Sequence, residues 1–128
     1  MSEEVLLNHV ALQYSDREKA AIFFTKILGI PRVKNFTLSK ELSAGIFGIN
    51  NGVDIDVYDN GRARFEVFIS HTTRNLSYEH ICIEVKDKKE FILRCKKYGL
   101  EPFTIKKDGK DLLFVRDFSD YLYEVKEQ

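Results

Sequence analysis

Two histidines and two glutamates stand at matched places in this 128-residue sequence, and together they could hold one divalent metal ion. His9 lies in L-N-H-V-A-L-Q-Y-S-D and His80 in Y-E-H-I-C-I-E-V-K-D; the interval from 9 to 80 is 71 residues, and Asp16 and Asp87 repeat it. Glu66-Val67 and Glu124-Val125 recur at an interval of 58, from 66 to 124, as do Val57-x-Asp59 and Val115-x-Asp117. Two neutral imidazoles suit Zn²⁺, Ni²⁺, Co²⁺ or Fe²⁺, and two carboxylates extend the choice toward Mn²⁺ while cancelling the charge of the ion. Such an ion acts as a Lewis acid and keeps room for water or substrate oxygens. An isolated strand histidine is ordinarily structural or surface-exposed, and an exposed strand glutamate is ordinarily just solvated. Duplication at matched positions sets these four apart. Asp56, in the alternating run of Val53, Ile55 and Val57, is the rival of Glu66, and the 58-residue correspondence favours Glu66. His71 lies outside any repeat and reads as a surface residue.

The elements that position the four follow from the same duplication. Around each histidine apolar residues alternate, Val10 and Leu12 in one segment and Ile81, Ile83 and Val85 in the other, which predicts a half-buried strand with its histidine on the opposite face. Capping-box patterns, Ser15-x-x-Glu18 and Asp87-x-x-Glu90, predict a helix after each strand. Ala20, Phe23, Phe24, Ile27 and Leu28 carry helical spacing up to Gly29 and Pro31; Phe91, Cys95 and Tyr98 do so up to Gly99 and Pro102. Asp59-Asn60-Gly61 is a strong hairpin signal, and Phe118-Ser119-Asp120 a weaker turn in the equivalent place. Each half therefore reads strand, helix, three strands. The expected architecture is α+β: two tandem βαβββ modules, at about 4–70 and 78–128 with a linker at about 71–77, forming one domain. Two antiparallel-type sheets, each covered by its helix on one face, would curve around a shared metal-binding cleft. Alternation puts Phe65, Val67, Tyr123 and Val125 toward the helices, and Glu66 and Glu124 on the free faces with the histidines. The first half has surplus residues around Ser39 to Asn51, where a short helical turn fits.

Composition narrows the function. A content of 44% hydrophobic and 31% charged residues is that of a globular domain, too apolar for disorder. Twenty basic against twenty acidic residues, spread along the chain, argue against nucleic acid and against a polybasic membrane surface. No apolar run approaches a membrane span and no signal pattern follows Met1. With Cys82 and Cys95 as the only cysteines, the expected setting is cytoplasmic and reducing.

The segments L-N-H-V-A-L-Q-Y-S-D-R-E-K-A-A-I-F-F-T-K-I-L-G and Y-E-H-I-C-I-E-V resemble the openings of the two modules of the vicinal oxygen chelate superfamily, over nearly the whole chain. That group includes glyoxalase I, methylmalonyl-CoA epimerase, fosfomycin resistance proteins, extradiol dioxygenases and bleomycin-binding proteins. By this resemblance His9 and His80 match the first-strand metal ligands of the two modules, and Glu66 and Glu124 the last-strand ligands. Glutamate at the first of these resembles glyoxalase I, where glutamine would resemble the epimerases. The turn before the last strand departs from the frequent D-P-D-G-N pattern, reading Asp117-Phe118-Ser119-Asp120-Tyr121.

The implied chemistry is metal-dependent and glyoxalase-like (of the lactoylglutathione lyase kind). A small oxygen-rich substrate would be isomerised or otherwise transformed, with an enediolate-type intermediate stabilised by the ion and Glu66 or Glu124 as proton carrier. The reading from another class is a binding protein of the same fold, of the antibiotic-resistance type, sequestering a small molecule without turnover. Arg62, Arg64 and Arg74 would supply its anionic grip. Open sheet edges and the aromatic complement of ten Phe and six Tyr lead to the expectation of a homodimer.

Overall fold

The structure is a computed structural model that describes residues 6–71 and 78–128, so Arg74 and most of the expected linker lie outside the described residues. In chain order the elements are β1 (Val10–Tyr14), α1 (Arg17–Ala21, continuing as a wider turn over Ile22–Ile27), β2 (Arg32–Leu38), α2 (Lys40–Phe47), β3 (Val53–Asp59), β4 (Arg64–Ile69), β5 (Ile81–Val85), α3 (Lys88–Lys97), β6 (Phe103–Lys107), β7 (Lys110–Arg116) and β8 (Leu122–Glu127). They form an α+β fold of two βαβββ-type modules, each with a four-stranded sheet, ordered β1-β4-β3-β2 and β5-β8-β7-β6. Both sheets are mixed, not antiparallel. A helical crossover returns the chain in the direction it left, so β1 pairs parallel with β4 and β5 with β8, while the remaining pairs are antiparallel hairpins.

Alternation decides what each strand buries. On β4, Phe65 and Val67 are buried while Arg64, Glu66 and Phe68 are partly exposed. On β8, Tyr123 and Val125 are buried and Glu124 is partly exposed. Turn chemistry fixes the registers. Asp59 Oδ1 accepts the Gly61 N–H at 2.7 Å, and Asn60 Oδ1 accepts those of Arg62 and Ala63 at 2.9 and 2.8 Å. Gly61 supplies the positive φ of 87° that this tight turn requires. Before β8 the buried Asp117 organises the connection: Oδ1 accepts the N–H groups of Ser119 and Tyr121, and Oδ2 accepts the Tyr123 hydroxyl. Asp108 and Gly109, both at positive φ, join β6 to β7 by a two-residue turn.

The helix signals are met with one shift. Asp87 Oδ1 accepts the Glu90 N–H at 3.1 Å, the expected cap. In the first half α1 begins at Arg17, which puts Asp16, 71 residues before Asp87, at the capping position in place of Ser15. Beyond Ala21 the helix widens, and the Leu28 N–H reaches Phe23 O, five residues back, at 3.0 Å.

The chain divides into two compact units that do not coincide with its two halves. The first holds the chain up to Arg17 and again from Ile30, with sheet β1-β4-β3-β2; the second holds Glu18–Gly29 together with the second half. The first helix thus belongs with the second sheet, where it was expected over its own. Its buried Phe23, Phe24 and Ile27 account for this allegiance. The Phe23 ring lies 4.9 Å from that of Tyr123 on β8, and Arg94 Nε of α3 donates to Ile27 O at 3.0 Å. Among the described residues no helix is long and apolar enough to cross a membrane.

Candidate functional site

Each unit carries one histidine–glutamate pair on one face of its sheet. His9 stands one residue before β1 and His80 one before β5, just outside the strands that were expected to contain them. In the first unit Ala11 is the register partner of Glu66, so Glu66 lies on the face that His9 shares with Ala11. His9 Nδ1 is 3.5 Å from Glu66 Oε2. In the second unit Cys82 is the register partner of Glu124, and His80 Nε2 lies 3.9 Å from Glu124 Oε1. The four side chains keep between 17% and 45% of their exposure, open enough to receive a ligand and fixed enough to be positioned.

The imidazoles are oriented from behind. His80 Nδ1 lies 3.0 Å from the carbonyl of Tyr78; since a carbonyl only accepts, Nδ1 carries the proton and the lone pair sits on Nε2, the nitrogen facing Glu124. His9 differs: its Nδ1 is 2.8 Å from Asn8 Oδ1 and is also the nitrogen that faces Glu66, so with the proton on Nδ1 the lone-pair nitrogen, Nε2, is not the one beside the carboxylate. An imidazole nitrogen beside a carboxylate, with the other ring nitrogen hydrogen-bonded from behind, is the donor chemistry a divalent transition ion takes, and the His80–Glu124 pair has it. Among the described residues no three His, Cys, Asp or Glu side chains gather into one metal-holding group; the expected quartet occurs as two pairs, one in each unit.

Asp56 is turned the other way. It pairs in register with Val67, whereas Val57 pairs with Glu66, so Asp56 lies on the opposite face of the sheet from His9 and Glu66. Fully buried there, it accepts Arg17 Nε and Asn35 Nδ2, each at 2.8 Å, with Arg32 Nη1 at 3.8 Å. Asp54 adds a second acceptor for Arg17 at 3.3 Å, and the bonds from Thr37 and Arg17 hold its carboxyl below the usual aspartate range. Nothing in the sequence marked this cluster. Its signal, a lone acidic residue in an apolar run, was equally the signal of a ligand.

The surroundings of the two glutamates differ. Arg64, on the same face of β4, places Nε 3.8 Å from Glu66 Oε2 and Nη1 2.9 Å from Asp59 Oδ2. Glu124 has Cys82 and Phe114 as register neighbours, neither of them charged. Arg62 contributes its backbone N–H to the Asn60 turn, and His71 is exposed. Burial, with the charge of Glu124 second, pushes the exposed Cys82 thiol up, while burial pushes the enclosed Cys95 thiol up to about 11. Ellman titration at pH 8 of the native protein will therefore find one slowly reacting thiol per chain, Cys82, with Cys95 appearing only on denaturation. Two native thiols would show Cys95 to be accessible.

No family model matches this sequence, and no curated protein matches it either. Solved structures do match, over almost the whole length. A glyoxalase family protein from Bacillus cereus superposes with a TM-score of 0.75 at 20% identity, covering 99% of this chain and 97% of that one. The fosfomycin resistance protein FosX from Listeria monocytogenes gives 0.74 at 14% identity, covering 98% and 95%. The fold is that of the vicinal oxygen chelate superfamily. Within this fold Glu66 and Glu124 stand on β4 and β8, the last strands of the two modules, and His9 and His80 stand one residue before the first strands. A variant of the Listeria FosX, 17% identical with a TM-score of 0.74 and covering 97% and 93%, was solved with Mn(II) and 1S,2S-dihydroxypropylphosphonic acid.

Proposed function

We propose that the two units act as one vicinal oxygen chelate domain, a glyoxalase-like enzyme that transforms a small oxygen-rich substrate by metal-assisted proton transfer. The observation that carries this reading is the duplicated pair, His9 with Glu66 and His80 with Glu124, each on a partly exposed sheet face and each imidazole oriented by a second acceptor. Two protein ligands hold a divalent ion weakly, so the pairs must act together, within one chain or between two copies in a homodimer. The donor set fits Zn²⁺, Ni²⁺, Co²⁺, Fe²⁺ or Mn²⁺, and the ion would supply Lewis acidity toward adjacent substrate oxygens. His9 and His80 serve as fixed ligands. Glu66 is engaged by the Arg64 guanidinium, whereas Glu124 has only the uncharged Cys82 and Phe114 as register neighbours; Glu124 is therefore the proposed carrier that takes a proton from one substrate carbon and returns it to its neighbour. The Mn(II) and dihydroxy phosphonate bound to the FosX variant support a metal and an oxygen-bearing small ligand in this fold.

Elemental analysis of protein purified without chelator tests the reading, wild type beside Glu66→Gln. About one transition metal per chain in the wild type, with affinity lowered about 10-fold or more in the variant, is the expected result. A wild type that takes up none of Zn²⁺, Ni²⁺, Co²⁺, Fe²⁺ or Mn²⁺ on reloading removes the enzymatic reading and favours metal-free sequestration of a ligand.

A further inference from the structure

The dipeptide Asn-Gly occurs twice in the chain, at Asn51-Gly52 and Asn60-Gly61. In this pair an asparagine side chain is open to attack by the main-chain nitrogen that follows it, because glycine has no Cβ to keep that nitrogen away from the amide carbon. In Asn50-Asn51 the second side chain does keep it away, which makes Asn50 an internal contrast. All three asparagines and both glycines are exposed, so exposure does not tell the two Asn-Gly sites apart. Hydrogen bonding does.

At the turn between β3 and β4 the reacting groups are tied down. Asp59 Oδ1 takes the Gly61 N–H at 2.7 Å, and Asn60 Oδ1 is turned toward the N–H groups of Arg62 and Ala63. The attacking species is a glycine nitrogen that has lost its proton, and so an anion. The Gly61 N–H and Arg64 hold the Asp59 carboxyl below the usual aspartate range; its charge keeps that proton in place and repels the anion. Between α2 and β3 the situation is different. Among the described residues neither the Asn51 side chain nor the Gly52 N–H makes a hydrogen bond. Yet glycine is required there, since a Cβ on Gly52 would stand 3.1 Å from Leu38 O, closer than ordinary contact. The fold thus demands glycine directly after an untethered asparagine.

We propose that Asn51 is a site of spontaneous deamidation in the folded protein, and that Asn60, in the same dipeptide, is shielded by its turn. The Gly52 nitrogen gives up its proton and bonds to Asn51 Cγ. The Cγ–Nδ2 bond breaks, ammonia leaves with that proton, and a cyclic succinimide closes. Water then opens the ring. Cleavage between Cγ and the nitrogen yields aspartate; cleavage between the main-chain carbonyl carbon and the nitrogen yields isoaspartate, whose main chain runs through Cγ and is longer by one carbon. Each event consumes one water and releases one ammonia, with no oxidant, enzyme or metal. Either product lowers the formal net charge, zero at pH 7, by one unit. The added carbon of isoaspartate enters the main chain beside the Gly52–Leu38 contact and two residues before Val53, which pairs with Leu38 at the end of the β2–β3 ladder.

Timed incubation of the whole protein, native and unfolded in urea, tests this by mass spectrometry. Tryptic cleavage after Lys40 and Arg62 yields one peptide, 41–62, that carries all three asparagines, and fragment masses show which side-chain amide has become an acid. A digest at time zero subtracts conversion during preparation. In native protein Asn51 should convert at least about tenfold faster than Asn60, the worth of one hydrogen bond to a charged group. In urea the two should convert at similar rates, with Asn50 slowest in both states. Asp59→Ala should speed native conversion at Asn60 about tenfold and leave Asn51 unchanged, with circular dichroism reporting that folded protein is compared. Native Asn51 reacting no faster than Asn60 overturns the inference. So does a difference that persists in urea, which assigns it to neighbouring residues and not to the fold; this comparison decides the question without the variant.

Discussion

Asp56→Ala lowers the unfolding free energy by about 3 kcal/mol, measured by urea denaturation, and is expected to be among the most damaging single substitutions in the first sheet. The carboxylate it removes is wholly enclosed and engages Arg17, Asn35 and, at longer range, Arg32. Its loss strands the Arg17 guanidinium, whose hydrogen bond to Asp56 is the first cause raising its already high pKa, so the group cannot shed its charge instead. Breaking a buried pair from one side costs about 3–5 kcal/mol, and the 40% exposure of the Arg17 side chain, which lets water take over part of its solvation, brings the value to the lower end. Asp56→Asn keeps the shape and one acceptor and should cost about half as much; Asp54→Ala, at a half-exposed position, should cost under about 1 kcal/mol. The same series separates structure from chemistry. Because Asp56 faces away from His9 and Glu66, Asp56→Asn should keep its bound metal where Glu66→Gln loses it. The reverse pattern would make Asp56 the ligand.

The second large effect is a recovery. A chain with His9→Ala and Glu66→Gln and a chain with His80→Ala and Glu124→Gln should each hold almost no metal. Unfolded together and refolded as an equal mixture, they should recover about a quarter of the wild-type content if each site joins the first pair of one copy to the second pair of another. Half of the dimers are then mixed, and in each of these one of the two sites has all four ligands, by the two-fold symmetry of such a pair. Sites closed within one chain would show no recovery at all. The shared arrangement is the expected one. Phe103 and Ile105 on the edge strand β6 are 42% and 51% exposed, apolar surface of the kind a second copy covers.

What could be read without coordinates was whatever depends on local spacing. Strand parity is a two-residue property, so the outward turn of Glu66 and Glu124 and the inward turn of Val67 and Val125 followed from the sequence and hold in the fold. The Asp59-Asn60-Gly61 turn was legible because one φ above zero and two short side chains nearly suffice to define it. The parallel pairing of β1 with β4 was not, since nothing near residue 10 says which way residue 66 will run. Asp56 was ambiguous for a similar reason. An acidic residue among Val53, Ile55 and Val57 means burial with a partner or exposure at a site, and only Arg17, 39 positions away, decides between them. The helix capping at Asp16 rather than Ser15 is a shift of one residue, the ordinary error of a boundary. Nor could spacing reveal that the first helix belongs with the second sheet, because its apolar stripe would suit either.

That last feature bears on how the chain is made. Synthesis runs from the amino terminus, so Phe23, Phe24 and Ile27 leave the ribosome well before the aromatic ring that Phe23 meets, Tyr123 on β8. The first half cannot complete its own folding as it emerges, since one of its elements is reserved for a surface not yet translated. The aromatic face of this helix therefore waits for its partner strand until the hundred residues from Phe23 to Tyr123 have been made.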